Sequence, residues 1–194
     1  MDINSRIKWQ PGMELTAETF RALDENMDFR QQANTRAVLG YRVGLLPGSV
    51  FSCEGVFVRN TFEIDRLQCM GVLPSGWIAH VDERVVLQVP LLYDGEYYFT
   101  VGISPDLIEY EKEMVPMIRP AYEYNILPIE KIKQDDVLPL MRLNVKDGSV
   151  SIDNDYIPPC LILLSDERYP KLIDQYVEIL ERYHDNPKLD PIAK

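Results

Sequence analysis

From Gly44 to about Ile152 the chain is cut into short pieces by turn residues: Pro47-Gly48, Pro74-Ser75-Gly76, Asp94-Gly95 and Asp147-Gly148. Gly accepts the positive φ of a tight turn and Asp tolerates it, so both Asp-Gly pairs predict hairpins. Between turns the side chains tend to alternate. Phe62-Glu63-Ile64-Asp65-Arg66-Leu67 has the pattern of a half-buried strand, and Val85-Val86-Leu87-Gln88-Val89 is another β-prone run. Strands that reverse this often leave no room for the long crossovers of a parallel sheet. The predicted class is mainly β, an antiparallel sandwich or barrel.

Helical signals flank this region. Thr16 is an N-cap candidate, with Glu18 in the first turn, where the helix dipole favours negative charge. Phe20, Leu23 and Met27 follow at i, i+3 and i+7, which predicts a helix over 17–38. A second helix is predicted over 169–184, with Pro170 in its first turn. Leu172, Tyr176, Ile179 and Tyr183 line one face, and Ile173, Val177 and Leu180 an adjacent one. That apolar surface is wide for a terminal helix, so it packs on the sandwich or joins copies of the chain. Ahead of the first helix stands Trp9-Gln10-Pro11-Gly12-Met13-Glu14-Leu15, with bulky apolar groups where termini are usually polar. Chemistry alone leaves open whether they staple the terminus to its own domain or grip a partner.

Composition removes several functions. A formal charge of −11 over 194 residues argues against a surface for nucleic acid or anionic lipid. No apolar run approaches 18 residues and the opening lacks a signal-like apolar core, so a cytoplasmic protein is expected, without direct membrane insertion. With 46% hydrophobic residues the chain can bury a core. Cys53, Cys69 and Cys160 lie far apart, which reads as free thiols rather than a disulfide framework or zinc site.

The search for reactive groups yields little. The two histidines, His80 and His184, lie in different elements, and no phosphate-cradling glycine motif is present. Glu109, Glu111 and Glu113 would share one strand face, read first as a solvated edge and second as a cation site. Tyr93, Tyr97, Tyr98 and Phe99 read as core and cross-strand packing ahead of a sugar platform. No catalytic residue, metal ligand or cofactor site is assigned. A carboxylate-based hydrolase is a distant third reading.

Four segments, taken together, resemble TssK, the baseplate subunit of bacterial type VI secretion. They are the opening stretch (Trp9, Gly12, Met13, Leu15, Phe20); the Gly71-Val72-Leu73-Pro74-x-Gly76 turn; Ile126–Ile132, "ILPIEKI"; and Tyr156-Ile157-Pro158-Pro159-Cys160-Leu161. They stand in the family's order, and a helix follows the last.

The resemblance implies a β-sandwich like the shoulder domain of phage receptor-binding proteins, then a helical neck. It divides the chain into a docking segment (1–16), the sandwich with its N-terminal helix (17–165), and the start of a neck with its tail (166–194). It implies a homotrimer. Trp9, Pro11, Gly12, Met13 and Leu15 would face the wedge proteins TssF and TssG, and Leu172, Tyr176, Ile179 and Tyr183 would meet around the threefold axis. The assembled protein would sit at the inner face of the cell envelope. The resemblance spans about residues 6–183, without most of the neck or the head through which the family meets TssL and TssM. Those two partners are expected only of a longer form, and whether this is a natural short form or a fragment stays open. Gln10 stands where an acidic residue is common. The rival reading is a phage-type receptor-binding or tail shoulder domain that recognises a saccharide or envelope protein.

Overall fold

A computed structural model describes residues 6–40, 42–89, 92–112, 115–162 and 168–184, with residues 183 and 184 described as backbone alone. Its body is two four-stranded antiparallel sheets sharing one core.

In the first sheet, β3 (Thr61–Val72) is central. It pairs along one edge with β1 (Gly44–Leu45) and β2 (Gly55–Val58), and along the other with β4 (Ile78–Gln88). The predicted alternation holds, with Phe62 and Ile64 fully buried. A register shift between Ile64 and Leu67 then lets Leu67 and Cys69 resume the inward face.

The second sheet runs β6-β5-β7-β8, from β5 (Gly95–Lys112), β6 (Val115–Pro128), β7 (Val137–Lys146) and β8 (Ser149–Asp153). A short α2 (Ile129–Ile132) leads from β6 towards β7. Phe62 meets Phe99 across the sheets at 5.3 Å between centroids, and Phe99 stacks on Tyr124 at 6.0 Å. Such contacts add to what burial alone contributes. Leu138 and Leu143 complete the interior.

Two of the predicted turns, Pro74-Ser75-Gly76 and Asp147-Gly148, reverse the chain between paired strands, and Pro47-Gly48 is a turn after which the chain rejoins the same edge of β3 in the same direction. Gly48 and Gly76 have φ of 73° and 87°, and Asp147 and Gly148 both have positive φ, the requirement of a two-residue hairpin turn. Asp94-Gly95 corrects the fourth. It precedes β5 where the chain leaves the first sheet for the second, and β4 and β5 do not pair. The aromatic cluster beside it divides: Phe99 enters the core, Tyr98 turns to the other face against Tyr156, and Tyr93 is exposed.

The helices flank the body. α1 (Ala17–Leu39) begins at Thr16, whose Oγ1 accepts from the Thr19 amide at 3.3 Å. α3 covers Arg168–His184. Between β8 and α3, Leu45 donates its amide to the Pro159 carbonyl (2.8 Å) and accepts from Leu161 (3.0 Å), a parallel bridge that ties the Pro-Pro-Cys-Leu segment to β1. Gly44 permits this approach, since a Cβ there would lie 2.6 Å from the Pro159 oxygen. Gly76 plays the same part at the β3–β4 turn, where a Cβ would meet the Gln32 carbonyl of α1 at 2.7 Å.

Candidate docking surfaces

The opening segment holds a defined shape. Met13 donates its amide to the Gln10 carbonyl at 3.1 Å, with Pro11 and Gly12 between them and Gly12 at φ 80°. That is a type II turn, in which Pro presets the second position and Gly supplies the third. The turn puts Trp9 on one limb and Met13 with Leu15 on the other. A groove of about 500 Å³ lies between this segment and α1, lined by Ile7, Trp9, Leu23, Asn26 and flanking Arg6 and Arg30. The indole thus lies against its own helix yet stays 53% exposed, and Leu15 stays 60% exposed. Pro11, Gly12 and Met13 are also exposed. Of the predicted α1 stripe, Leu23 is half-buried, whereas Phe20 and Met27 face solvent.

The second surface is α3. Leu172, Tyr176 and Ile179 recur at helical spacing, and all three are exposed, as are Ile173, Val177 and Leu180, the last at 66%. The side chain of Tyr183 lies outside the described residues. Arg168, Lys171, Asp174, Glu178, Glu181 and Arg182 carry the charge of the helix, with Arg182 reaching Glu178 at 3.5 Å. The helix therefore presents a wide apolar stripe that the described part of the sandwich leaves uncovered.

Of the third surface the sequence reading gives only a strand whose Glu109 and Glu111 share a solvated face. β5 and β6 run on past the sandwich as a two-stranded arm, pairing Leu107 with Pro120 through to Lys112 with Val115. Leu107, Ile108, Tyr110, Val115, Met117 and Ile118 are all exposed on it. The base of the arm is clamped to β4. Arg119 reaches Glu83 at 3.1 Å and lies over the Tyr122 ring, and Tyr124 donates to the other Glu83 oxygen at 2.7 Å. Burial first, then the Glu83 carboxylate, pushes the Tyr124 phenol up, so it stays a donor. The signal in the sequence was apolar residues at both odd and even positions, which alternation rules discard.

Reactive chemistry finds little support. An open cleft of about 480 Å³ at the far end of the sandwich is lined by Phe57, Arg59, Asn60, Val89, Leu92 and Val150, with no carboxylate in its wall. Glu109 and Glu111 share a face, but no group of three metal-holding side chains exists among the described residues, and Glu113 lies outside them. The cysteines are free thiols, and burial pushes Cys69 up to about 12, far from a reactive thiolate. No described helix is long and apolar enough to cross a membrane.

No protein-family model matches the chain, and no curated protein matches it in sequence. Solved structures do. A crystal structure of TssK superposes with a TM-score of 0.61 at 12% identity, covering 97% of this chain and 51% of that one. A chain of the type VI secretion baseplate complex gives 0.59 at 15%, covering 100% and 73%. A chain of the TssK-TssF-TssG baseplate subcomplex gives 0.54 at 17%, covering 91% and 68%. This chain therefore spans about half the length of the TssK crystal chain. At these identities the likeness is one of architecture: over nearly its whole length, the chain has the fold of the corresponding part of TssK.

Proposed function

We propose that this chain is a non-enzymatic structural component of a type VI secretion baseplate. It acts in the cytoplasm at the inner face of the cell envelope. Its opening segment docks on a TssF–TssG wedge, and α3 begins a threefold neck that joins three copies. The wedge partnership is drawn from the TssK-TssF-TssG subcomplex among the similar structures. The threefold neck and the contacting residues rest on the resemblance and on exposure. Contact with TssL and TssM belongs to a longer form that carries a head.

The observation that supports this most is the pairing of a TssK-like body with uncovered apolar groups towards both ends of the chain, Trp9 and Leu15 near one and the α3 stripe near the other. Trp suits a docking anchor because it removes a large, rigid area from water at low entropic cost. Deleting residues 1–15 removes co-purification with TssF–TssG while the thermal transition stays in place, because no residue of that segment belongs to the core cluster. Undiminished co-purification rejects the docking role. Sedimentation of the 194-residue chain tests the neck, with trimers expected and dissociated by Ile179→Asp.

A further inference from the structure

We propose that the β5–β6 arm grips a second copy of this chain, laying its acidic, apolar face into the α1 groove of the neighbouring protomer. This rests on the oligomer proposed above and adds a contact that a helical neck does not require.

Uncovered apolar groups are not confined to α3: Leu107, Ile108, Met117 and Ile118 stand exposed on the arm, outside the core of the sandwich.

The placement of the elements points to a copy of the same chain. The Ser75 amide donates to Asp136 at 2.6 Å, and a Cβ on Gly102 would lie 3.3 Å from the Asp136 carbonyl, so the β3–β4 turn and the root of the arm adjoin. Gly76 of that turn touches α1. Gly71, shortly before the turn, pairs with Leu45, which bridges to Cys160 just ahead of α3. Arm, α1 and the exit towards α3 therefore rise from one end of the sandwich. In an assembly of copies about α3, the arms and α1 helices of neighbouring protomers lie at the same end.

The pairing within the arm separates two faces. Ile108, Tyr110 and Lys112 share one with Arg119, Met117 and Val115. Leu107, Glu109 and Glu111 share the other with Pro120, Ile118 and Pro116. Arg119 fastens the first face to β4, and the second is the acidic one. Pro116 and Pro120 remove amides from the β6 edge, so that edge is a poor template for adding another strand, and the contact proposed here is made by side chains of a face. A surface for the second face must be apolar with positive charge. α1 carries one: a groove of about 400 Å³ lined by Phe29, Gln32, Ala33, Arg36 and Ala37. The groove beside Trp9 also has a basic rim, Arg6 and Arg30, but it is the one assigned above to the wedge; Arg36 rims the groove left for the arm.

Sedimentation equilibrium of the full chain tests this with Glu109→Arg, Arg36→Glu, and both together. Each single reversal places like charges together and weakens association about tenfold or more; the double variant restores it towards the wild-type value. Leu107→Ser weakens association without lowering the melting temperature, since the arm lies outside the core. If the reversals leave intact an oligomer that Ile179→Asp dissociates, the arm contact is wrong and the neck stands. If the wild-type chain is monomeric at every concentration, the arm and neck proposals both fall.

Discussion

Replacing Trp9 with Ala separates a docking anchor from an internal staple. The indole stands 53% exposed, against the groove beside Leu23 and Asn26. A Trp buries up to about 250 Å², so roughly 130 Å² remains for a partner. At about 25 cal/mol per Å² this is worth ~3 kcal/mol when fully covered. Some of that is offset by ordering costs, leaving about 2–3 kcal/mol, or a loss of affinity of roughly 30- to 150-fold. The assay is titration calorimetry of the chain against the TssF–TssG complex, with scanning calorimetry of the free chain beside it. Because Trp9 is no part of the core cluster, the thermal midpoint is expected to move by less than about 3 °C, the shift that roughly 1 kcal/mol produces in a chain of this size. Affinity within threefold of wild type would refute the anchor. So would a loss of affinity accompanied by a fall of more than about 6 °C, which would mean that the indole fastens the fold and that docking suffers only through unfolding.

Three other perturbations probe the frame that holds these surfaces. Gly44→Ala places a Cβ 2.6 Å from the Pro159 carbonyl at a positive φ, and is expected to cost about 2–4 kcal/mol by the urea midpoint. Asp153 accepts from Arg142, which holds its carboxyl below the usual range. Protonation is then harder in the folded state, so the associated stability is full above the ordinary Asp value of 3.8 and is lost as pH falls below it; Asp153→Asn flattens that part of a urea-midpoint profile between pH 2 and 6. Glu83→Gln keeps an acceptor for Tyr124 but removes the charge facing Arg119. Hydrogen exchange should speed up in residues 107–120 while β3 and β7 stay protected, and equal acceleration everywhere would show that Glu83 supports the core instead.

Local chemistry was legible in the sequence to the extent that one residue or dipeptide determines it. Thr16 caps α1 because its side chain can reach only the first-turn amides, and Asp147-Gly148 turns because both residues can take positive φ. Asp94-Gly95 defeated the same rule. A permissive backbone allows a reversal but does not require one, and here the chain uses it to enter the opposite sheet. The arm escaped notice because alternation marks a strand with one wet face and one dry one, while Leu107, Ile108, Ile118 and Met117 fall on both faces of a ribbon that has left its sandwich. Trp9 and the α3 stripe were conspicuous as apolar groups in polar places, but one chain's periodicity does not say what covers them.

The segments that carry the resemblance to TssK prove to be joints rather than reactive sites. Pro159 and Leu161 bond to β1 where Gly44 leaves room, fixing the start of the path from the sandwich to α3. Leu73 bonds to Trp77 and Gly76 around the β3–β4 turn, and Gly76 lets α1 approach the body. Each depends on a backbone that no larger residue would allow so close, or on a proline that holds it extended. A core strand needs only an apolar residue of suitable volume, so Phe62 or Leu138 can be exchanged over time while the sheet remains. A fold shared across 91–100% of the chain at 12–17% identity fits sheets that tolerate such exchange. The glycines of the two joints are where substitution is expected to cost most, because a side chain there would push α1 or the path towards α3 away from the sandwich.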